Sequence, residues 1–297
     1  MRAYLTGGSG FVGAWLLRQL AEAGDSSTAP GPEIDVTDLG LLSSDMEAAS
    51  PEVVYHLAAL THVGQSWSEP AETFHVNAMG TLNVLEAAAR LAEPPVVVLV
   101  SSAEVYGPAS GATALDERAE LRPVTPYAAS KVAAEFLGLQ AFLGRGLRVV
   151  RARPFNHVGP GQSDSFVVSA LARRIVEAEV EKTGKVRVGN LAASRDFTDV
   201  RDVVRAYRLL AGAGVAGEAY NVCSGRAVSI AELAAMMAGL SSHRIELVED
   251  PALFRPVEVP VLLGDASKLV AATGWHPEIG LLDTLSDVLE YWRETLS

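Results

Sequence analysis

The stretch "RAYLTGGSGFVG", residues 2–13, decides the fold. Its first half, "RAYLTG", has the apolar content of a buried strand. Gly7, Gly10 and Gly13 then recur three apart, and Phe11 to Ala23 carries a helical pattern. A strand, a glycine loop and a helix in that order permit a tight turn and close approach of a pyrophosphate, which rests on the helix N-terminus. Glycine spacing alone also fits a plain Gly-rich turn. With strand and helix both in place the stretch reads as a dinucleotide site, with Gly7, Ser9, Gly10, Phe11, Val12 and Gly13 as its candidate residues.

An acidic residue about 20 positions further on would bind the adenosine ribose. Asp25 is the candidate, but it lies in "GDSSTAPGPE" (24–33), whose Gly, Pro and Ser content predicts a loop. No arginine nearby marks a 2′-phosphate site. The choice between NAD(H) and NADP(H) stays open.

Outward from this stretch, short apolar runs alternate with helical patterns. "EVVYHLAA" (52–59), "PVVVLVSS" (95–102) and "LRVVRARP" (147–154) read as strands. Pro70 to Leu91 and Pro126 to Leu143 read as helices. Continuous Val/Leu strands between helices predict a parallel sheet covered on both faces, the doubly wound α/β fold. After Pro154 the texture changes to the Gly/Pro-rich "FNHVGPGQSDS" and shorter elements. The expected division is a dinucleotide-binding domain over 1–155 and a smaller, interleaved nucleotide-sugar-binding region over 156–297, with part of 190–225 returning to the first.

The bulk numbers exclude several classes. The chain has 297 residues and is 49% hydrophobic, enough for one large or two interleaved cores. Its net charge of −12 makes it a poor partner for nucleic acid. No apolar run approaches the ~20 residues of a membrane span. The N-terminus runs straight into a strand, so no signal peptide is expected. Cys223 is the only cysteine, which removes disulfides and Cys-rich zinc sites, and no metal is expected. These points predict a cytoplasmic protein, with Cys223 a small buried apolar residue.

"TPYAASK" (125–131) carries the chemistry. Thr125 can cap a helix and Pro126 suits its first turn. Tyr127 and Lys131, four apart, share a face. An ammonium beside a phenol favours the phenolate, so the Tyr127 pKa is expected to fall. Such a tyrosine exchanges a proton with a carbinol oxygen while hydride moves to or from nicotinamide. The chain has only four lysines, 131, 182, 185 and 268, so a chance pair at this spacing is rare; its bland alternative is an ordinary surface pair. Ser102, at the end of the preceding strand, can add a second hydrogen bond to the same oxygen.

The set "TGGSGFVG" (6–13), "HLAA" (56–59), "SSAEVYG" (101–107) and "PYAASK" (126–131) resembles the extended short-chain dehydrogenase/reductase superfamily, in its nucleotide-sugar branch. The resemblance implies Tyr127 as acid/base, Lys131 on the nicotinamide ribose and Ser102 orienting the substrate oxygen. It also implies adenine contacts from Asp35 and Val36, and cofactor contacts from Leu57, Ala58, Ala59, Asn77 and Pro154. "RPFNHVGPGQSDSFV" (153–167), "VGNLAASRDFTDVRDVVRAY" (188–207), "YNVCSG" (220–225) and "RPVEVPVLLGD" (255–265) resemble GDP-6-deoxy-4-keto-D-mannose reductases, with GDP-mannose 4,6-dehydratases the nearest relatives. Asn156, Val167, Arg195, Arg255 and Glu258 are the candidate substrate residues, the two arginines gripping phosphate oxygens with paired donors. Taken alone, each arginine equally fits a surface salt bridge, and His157 fits a structural loop histidine.

Glu104 divides the readings. Two residues after Ser102, it holds the position of the base that, in dehydratases, takes the proton from carbon 5. A reductase needs no such base. A decarboxylase shares the local pattern but not "RPFNHVGPGQ", and non-catalytic dinucleotide sensors usually lack the Tyr/Lys pair. The four blocks of the second half favour a reductase: hydride to carbon 4 of a GDP-keto sugar from NADPH or NADH, and a proton from Tyr127. The resemblance implies a homodimer, since such relatives commonly pair helices, and the helices near 70–91 and 126–143 are apolar enough to permit it.

Overall fold

The computed structural model describes residues 1–108, 114–250 and 259–297. In chain order the first half runs β1 (Arg2–Thr6), α1 (Phe11–Glu22), β2 (Ser26–Thr28), α2 (Leu39–Ala49), β3 (Val53–His56), α3 (Val63–Ser68), α4 (Pro70–Phe74), a π-turn (His75–Met79), α5 (Gly80–Arg90), β4 (Val96–Val100), a 3₁₀ turn (Ala103–Tyr106), α6 (Pro126–Arg145) and β5 (Val149–Pro154). The second half runs β6 (Asn156–Val158), α7 (Val167–Glu181), β7 (Lys185–Val188), β8 (Ser194–Asp199), α8 (Val200–Ala213), β9 (Ala219–Val222), β10 (Ala227–Ser229), α9 (Ile230–Gly239), β11 (Glu246–Glu249), β12 (Val261–Leu262), α10 (Ser267–Thr273) and α11 (Leu281–Leu296).

The central sheet is six-stranded and parallel, in the order β2-β1-β3-β4-β5-β9. Its central strands β3, β4 and β5 are Val-rich and buried on both faces, as alternate residues of β4 show: Val98 packs with α1 and α8, and Val97 and Leu99 with α2, α5 and α6. This is the doubly wound Rossmann fold. Chain order reverses between β1 and β3, so the crevice at their carboxyl ends is the expected ligand site.

Three details depart from the expectations. Residues 24–33 are not all loop, since Ser26–Thr28 pairs with β1 as an edge strand. Its three side chains are exposed, so no apolar alternation signals it. The helix expected over 70–91 is broken into α4, the π-turn and α5. "HLAA" leaves the sheet after His56.

The second half builds its own core between α7, α9, α11 and β8, with Leu171, Ile175, Leu233, Leu285 and Leu289 at its centre. Residues 200–222 belong elsewhere: α8 packs on α1 and the central sheet, and β9 pairs with β5.

Candidate active site

The glycine loop fits a pyrophosphate. Gly7 has φ +74, which only glycine adopts without strain, and a Cβ there would meet the Ala58 backbone N at 2.7 Å. A Cβ on Gly13 would meet the Gly7 carbonyl at 2.3 Å, so helix and loop pack at backbone contact. Gly10 leads into α1 with no side-chain cap, and uncapped N-terminal amides suit an anionic ligand.

Asp35 and Val36, the expected adenine contacts, line a cavity together with Thr6, Gly7 and Ser9. Asp35 accepts from Thr37 N at 2.8 Å and Thr37 Oγ1 at 2.9 Å, which holds its carboxyl below the usual range. Asn83 donates to the carbonyls of Val36 and Thr37 and ties this turn to α5. Across the crevice, Leu57 N donates to Thr6 O and Ala58 N to Thr6 Oγ1, and Ala59 follows in the same open loop.

Asp25 is not a ribose ligand. Its carboxylate is buried between the N-terminal amine, 2.7 Å away, and Arg208 Nε, also 2.7 Å away. It fastens the chain start and β2 to α8, a pairing 183 residues apart that spacing cannot reveal.

Asn77 sits in the π-turn, where one extra residue per turn re-aims its side chain. Its Oδ1 accepts from Leu60 N, and its Nδ2 donates to Leu60 O and to Ser130 Oγ. Ser130 Oγ donates to Tyr127 O. Asn77 therefore clasps the loop after β3 to the first turn of α6. Below it, bookkeeping fixes a tautomer. Thr81 spends its proton on Asn77 O, so His56 Nε2–H donates to Thr81, and His56 Nδ1 accepts from Thr6 Oγ1. Burial drops the His56 pKa to about 3, keeping the ring neutral.

Tyr127, Lys131, Ser102 and Glu104 converge where β4 meets α6. Thr125 caps α6 through Ala128 N, and Pro126 opens it. Lys131 is buried and donates to Val100 O at 2.9 Å. Burial brings its pKa down to about 8, against the opposing charge of Glu135. Ser102 Oγ caps the 3₁₀ turn by accepting from Glu104 N and hydrogen-bonds the Tyr127 phenol. The phenol does not fall toward neutrality as the Tyr/Lys spacing suggests. Burial pushes it up to about 12, the Ser102 bond opposes this, and the Glu104 charge adds to it. The Lys131 ammonium donates to the Val100 carbonyl instead, and burial is the largest influence on the phenol.

The residues expected to meet the substrate follow from β5 onward. Pro154 ends β5, and Asn156 follows in β6, half-buried opposite Phe197. His157 stacks on Phe11 with ring centroids 6.2 Å apart, and Trp15 Nε1 donates to Pro160 O at 3.0 Å. These two contacts press "FNHVGPG" against the helix that carries the glycine loop. Val167 opens α7. Arg195 donates to Ser194 O and to Val259 O at 2.7 Å. Arg255 and Glu258 themselves lie outside the described residues.

Two positioning groups escaped the sequence reading. Asp196, fully buried, accepts from Ser224 N and Oγ, Gly225 N and Gly264 N, fastening "CSG" and the strand after Val259 to β8. Glu135, one turn beyond Lys131, receives Arg153 through Nε and Nη2 at 2.9 and 2.7 Å, and Arg153 Nη1 donates to the Tyr106 hydroxyl. Tyr106 OH donates in turn to Asn221 Oδ1. The one signal available was the placement of Glu135 at i+4 from Lys131. Among the described residues, no group of His, Cys, Asp and Glu is placed to hold a metal ion.

Comparison with known proteins places this geometry. A family model described as GDP-mannose 4,6 dehydratase matches residues 32–288. The chain is 40% identical to the GDP-6-deoxy-D-mannose reductase of Pseudomonas aeruginosa, over 98% of this chain and 97% of that one. It is 28% identical to the GDP-mannose 4,6-dehydratase of Sinorhizobium fredii, over 89% and 80% of the two chains. The structure of RMD from Pseudomonas aeruginosa complexed with NADPH superposes with a TM-score of 0.92 and 38% identity, covering 99% of this chain and all of that one. A UDP-glucose 4-epimerase of Thermotoga maritima, solved with UDP-glucose, matches over the whole of both chains with a TM-score of 0.92 and 26% identity. With the glycine cradle, the Ser102–Tyr127–Lys131 cluster and these matches together, the chain belongs to the GDP-mannose 4,6 dehydratase family.

Proposed function

We propose that the chain reduces the 4-keto group of GDP-4-keto-6-deoxy-D-mannose with NAD(P)H, giving GDP-D-rhamnose. The observation that carries this is the likeness, 40% identical over 98% of this chain and 97% of that one, to a GDP-6-deoxy-D-mannose reductase. The buried Tyr127, its bond to Ser102 and the buried Lys131 four residues on supply the acid and the orienting groups that a carbonyl reduction needs.

Bound reduced nicotinamide supplies hydride to carbon 4. Tyr127 gives its proton to the oxygen as it becomes an alkoxide. Ser102 orients that oxygen, and Lys131, charged below about pH 8, favours the phenolate left behind. The Glu104 charge disfavours the phenolate of Tyr127. Asn156, Val167, Arg195, Arg255 and Glu258 hold the GDP-sugar. Residues 1–155 with α8 and β9 form the cofactor domain, and the rest of 156–297 the sugar-nucleotide region.

A second reading, GDP-mannose 4,6-dehydratase, is favoured by one observation: Glu104 stands two residues after Ser102, half-buried and electrically coupled to Tyr127. Purified protein supplied with GDP-4-keto-6-deoxymannose and NADH or NADPH separates the two. Stoichiometric loss of reduced nicotinamide, with no keto product from GDP-mannose, supports the reductase. Conversion of GDP-mannose without net cofactor use supports the dehydratase. Tyr127→Phe should lose turnover and keep cofactor binding; retained turnover would sink the assignment.

No helix of the described residues is long and apolar enough to cross a membrane. We place the protein in the cytoplasm, consistent with a single, buried, unpaired cysteine. Phe74, Met79, Phe136 and Leu143 are exposed on α4, the π-turn and α6, and we assign that face to a second copy of the chain.

A further inference from the structure

The chain between β6 and α7 bridges the two cores of the molecule. Asn156 stands at its start, in β6, and Val167 at its end, opening α7; both belong to the proposed sugar-nucleotide site. Between them the chain is tied to itself. Gln162 is buried, its Nε2 donates to His157 O at 3.1 Å, and its N donates to Gly159 O at 3.4 Å. The Gln162 carbonyl accepts from Ser169 Oγ at 2.6 Å, and Ser169 Oγ accepts from Trp292 Nε1 at 3.0 Å. One anchor of this closed loop is therefore the core of the second half, to which Val168 and Trp292 belong.

The other anchor is on α1. Trp15 packs on the core of the central sheet, and its Nε1 donates to Pro160 O at 3.0 Å, across 145 residues of sequence. The indole is held in turn by cations. The Arg18 guanidinium carbon lies 4.7 Å from the ring centroid and that of Arg201 5.9 Å. Arg201 donates to Asp199 and to Asp287 on α11, at 2.7 Å each. The loop backbone also lies against α8, since a Cβ on Gly159 would meet Val200 Cγ1 at 2.5 Å. An indole has one N–H and no acceptor. That single donor goes to the loop, although Trp15 stands only one turn beyond Phe11, where the dinucleotide helix begins.

We infer that Trp15 is a positioning residue for the sugar nucleotide: through Pro160 it fixes the closed 156–162 loop, and with it Asn156, relative to the dinucleotide crevice. The inference rests on the reading of Asn156 as a substrate residue. Its distinctive consequence is that a side chain on the cofactor helix governs affinity for the other ligand.

Two variants test it. Trp15→Phe keeps an aromatic ring beside Arg18 and Arg201 and removes the N–H, and Gln162→Met removes the tie to His157 O from within the loop. NADH and NADPH binding to the free protein is read by nucleotide fluorescence. GDP-mannose binding to protein saturated with the tighter of the two is read by calorimetry. GDP-mannose is expected to bind about fivefold more weakly in each variant, the scale of one lost hydrogen bond, with nucleotide binding changed by less than about twofold. The double variant should lose less than the product of the two, because both release the same loop. Unchanged GDP-mannose binding in Trp15→Phe would overturn the inference and leave the substrate reading standing. An equal loss of nucleotide binding in Trp15→Phe would also overturn it, making Trp15 a structural part of α1. No GDP-mannose binding by the unaltered protein would overturn the inference together with the substrate reading beneath it.

Discussion

Replacing Glu135 by Gln removes the charge that Arg153 was buried to meet. The Glu135 side chain is fully buried and that of Arg153 is 5% exposed, 2.7 Å away at their shortest contact, with Arg151 a further 3.5 Å from the same carboxylate. Taking one partner from a buried ion pair costs about 3–5 kcal/mol, because the remaining charge stays dehydrated. A chain of nearly 300 residues unfolds with an entropy of about 0.6 kcal/mol/K, so the melting temperature should fall by about 5–8 °C. The second consequence is electrostatic. Burial pulls the Lys131 pKa down to about 8, and the Glu135 charge opposes that pull. Without that charge the ammonium is lost at lower pH, so the basic limb of kcat/KM should move below 8. Thermal unfolding and a pH–rate profile from 6 to 9.5 check both. An unchanged melting temperature together with an unmoved basic limb would refute the reasoning; a lower melting temperature with an unmoved limb would leave Glu135 a purely structural residue.

Glu104→Gln should leave reduction largely intact and lower the pH at which Tyr127 ionises, since the Glu104 charge pushes that phenol up; ultraviolet difference titration of tyrosinate, referenced to Tyr127→Phe, measures it. His56 is held neutral with a pKa near about 3, below its unfolded 6.5, so the unfolded chain takes up this proton first. The stability it contributes is full above pH 6.5 and erodes as pH falls toward 3, by about 2 kcal/mol between 6.5 and 5, readable in urea melts at stepped pH. Gly13→Ala should weaken dinucleotide binding at least about tenfold, about 1.4 kcal/mol, because the new methyl must displace the Gly7 carbonyl 2.3 Å away; titration of bound NADH fluorescence decides it.

What the sequence made legible was local. The glycine loop, the Thr125 cap and the Tyr127/Lys131 spacing each lie within eight residues, so periodicity and turn chemistry suffice to read them. What it hid was long-range or unpatterned. β2 is three exposed residues whose only signature is their pairing with β1. The break in the helix after Pro70 follows from Asn77 reaching both Leu60 and Ser130, contacts 17 and 53 residues away. Asp25 was sought as a ribose ligand because it is acidic and nearly at the right count; only the fold shows the N-terminus and Arg208 closing on it. The lowered tyrosine pKa expected from a neighbouring lysine gave way to burial, which spacing does not report.

The return of β9 to the central sheet sets an order of events during synthesis. β5 is complete at Pro154, but its outer neighbour begins at Ala219. At about 5–20 residues per second, the ribosome leaves the free side of β5 unpaired for roughly 3–13 s. That strand, "VVRARP", carries buried Val149, Val150 and Ala152, the profile of an edge that recruits other strands. Nascent chains of this protein thus pass through an interval in which they are most prone to associate, and a chain cut anywhere before Ala219 never leaves it.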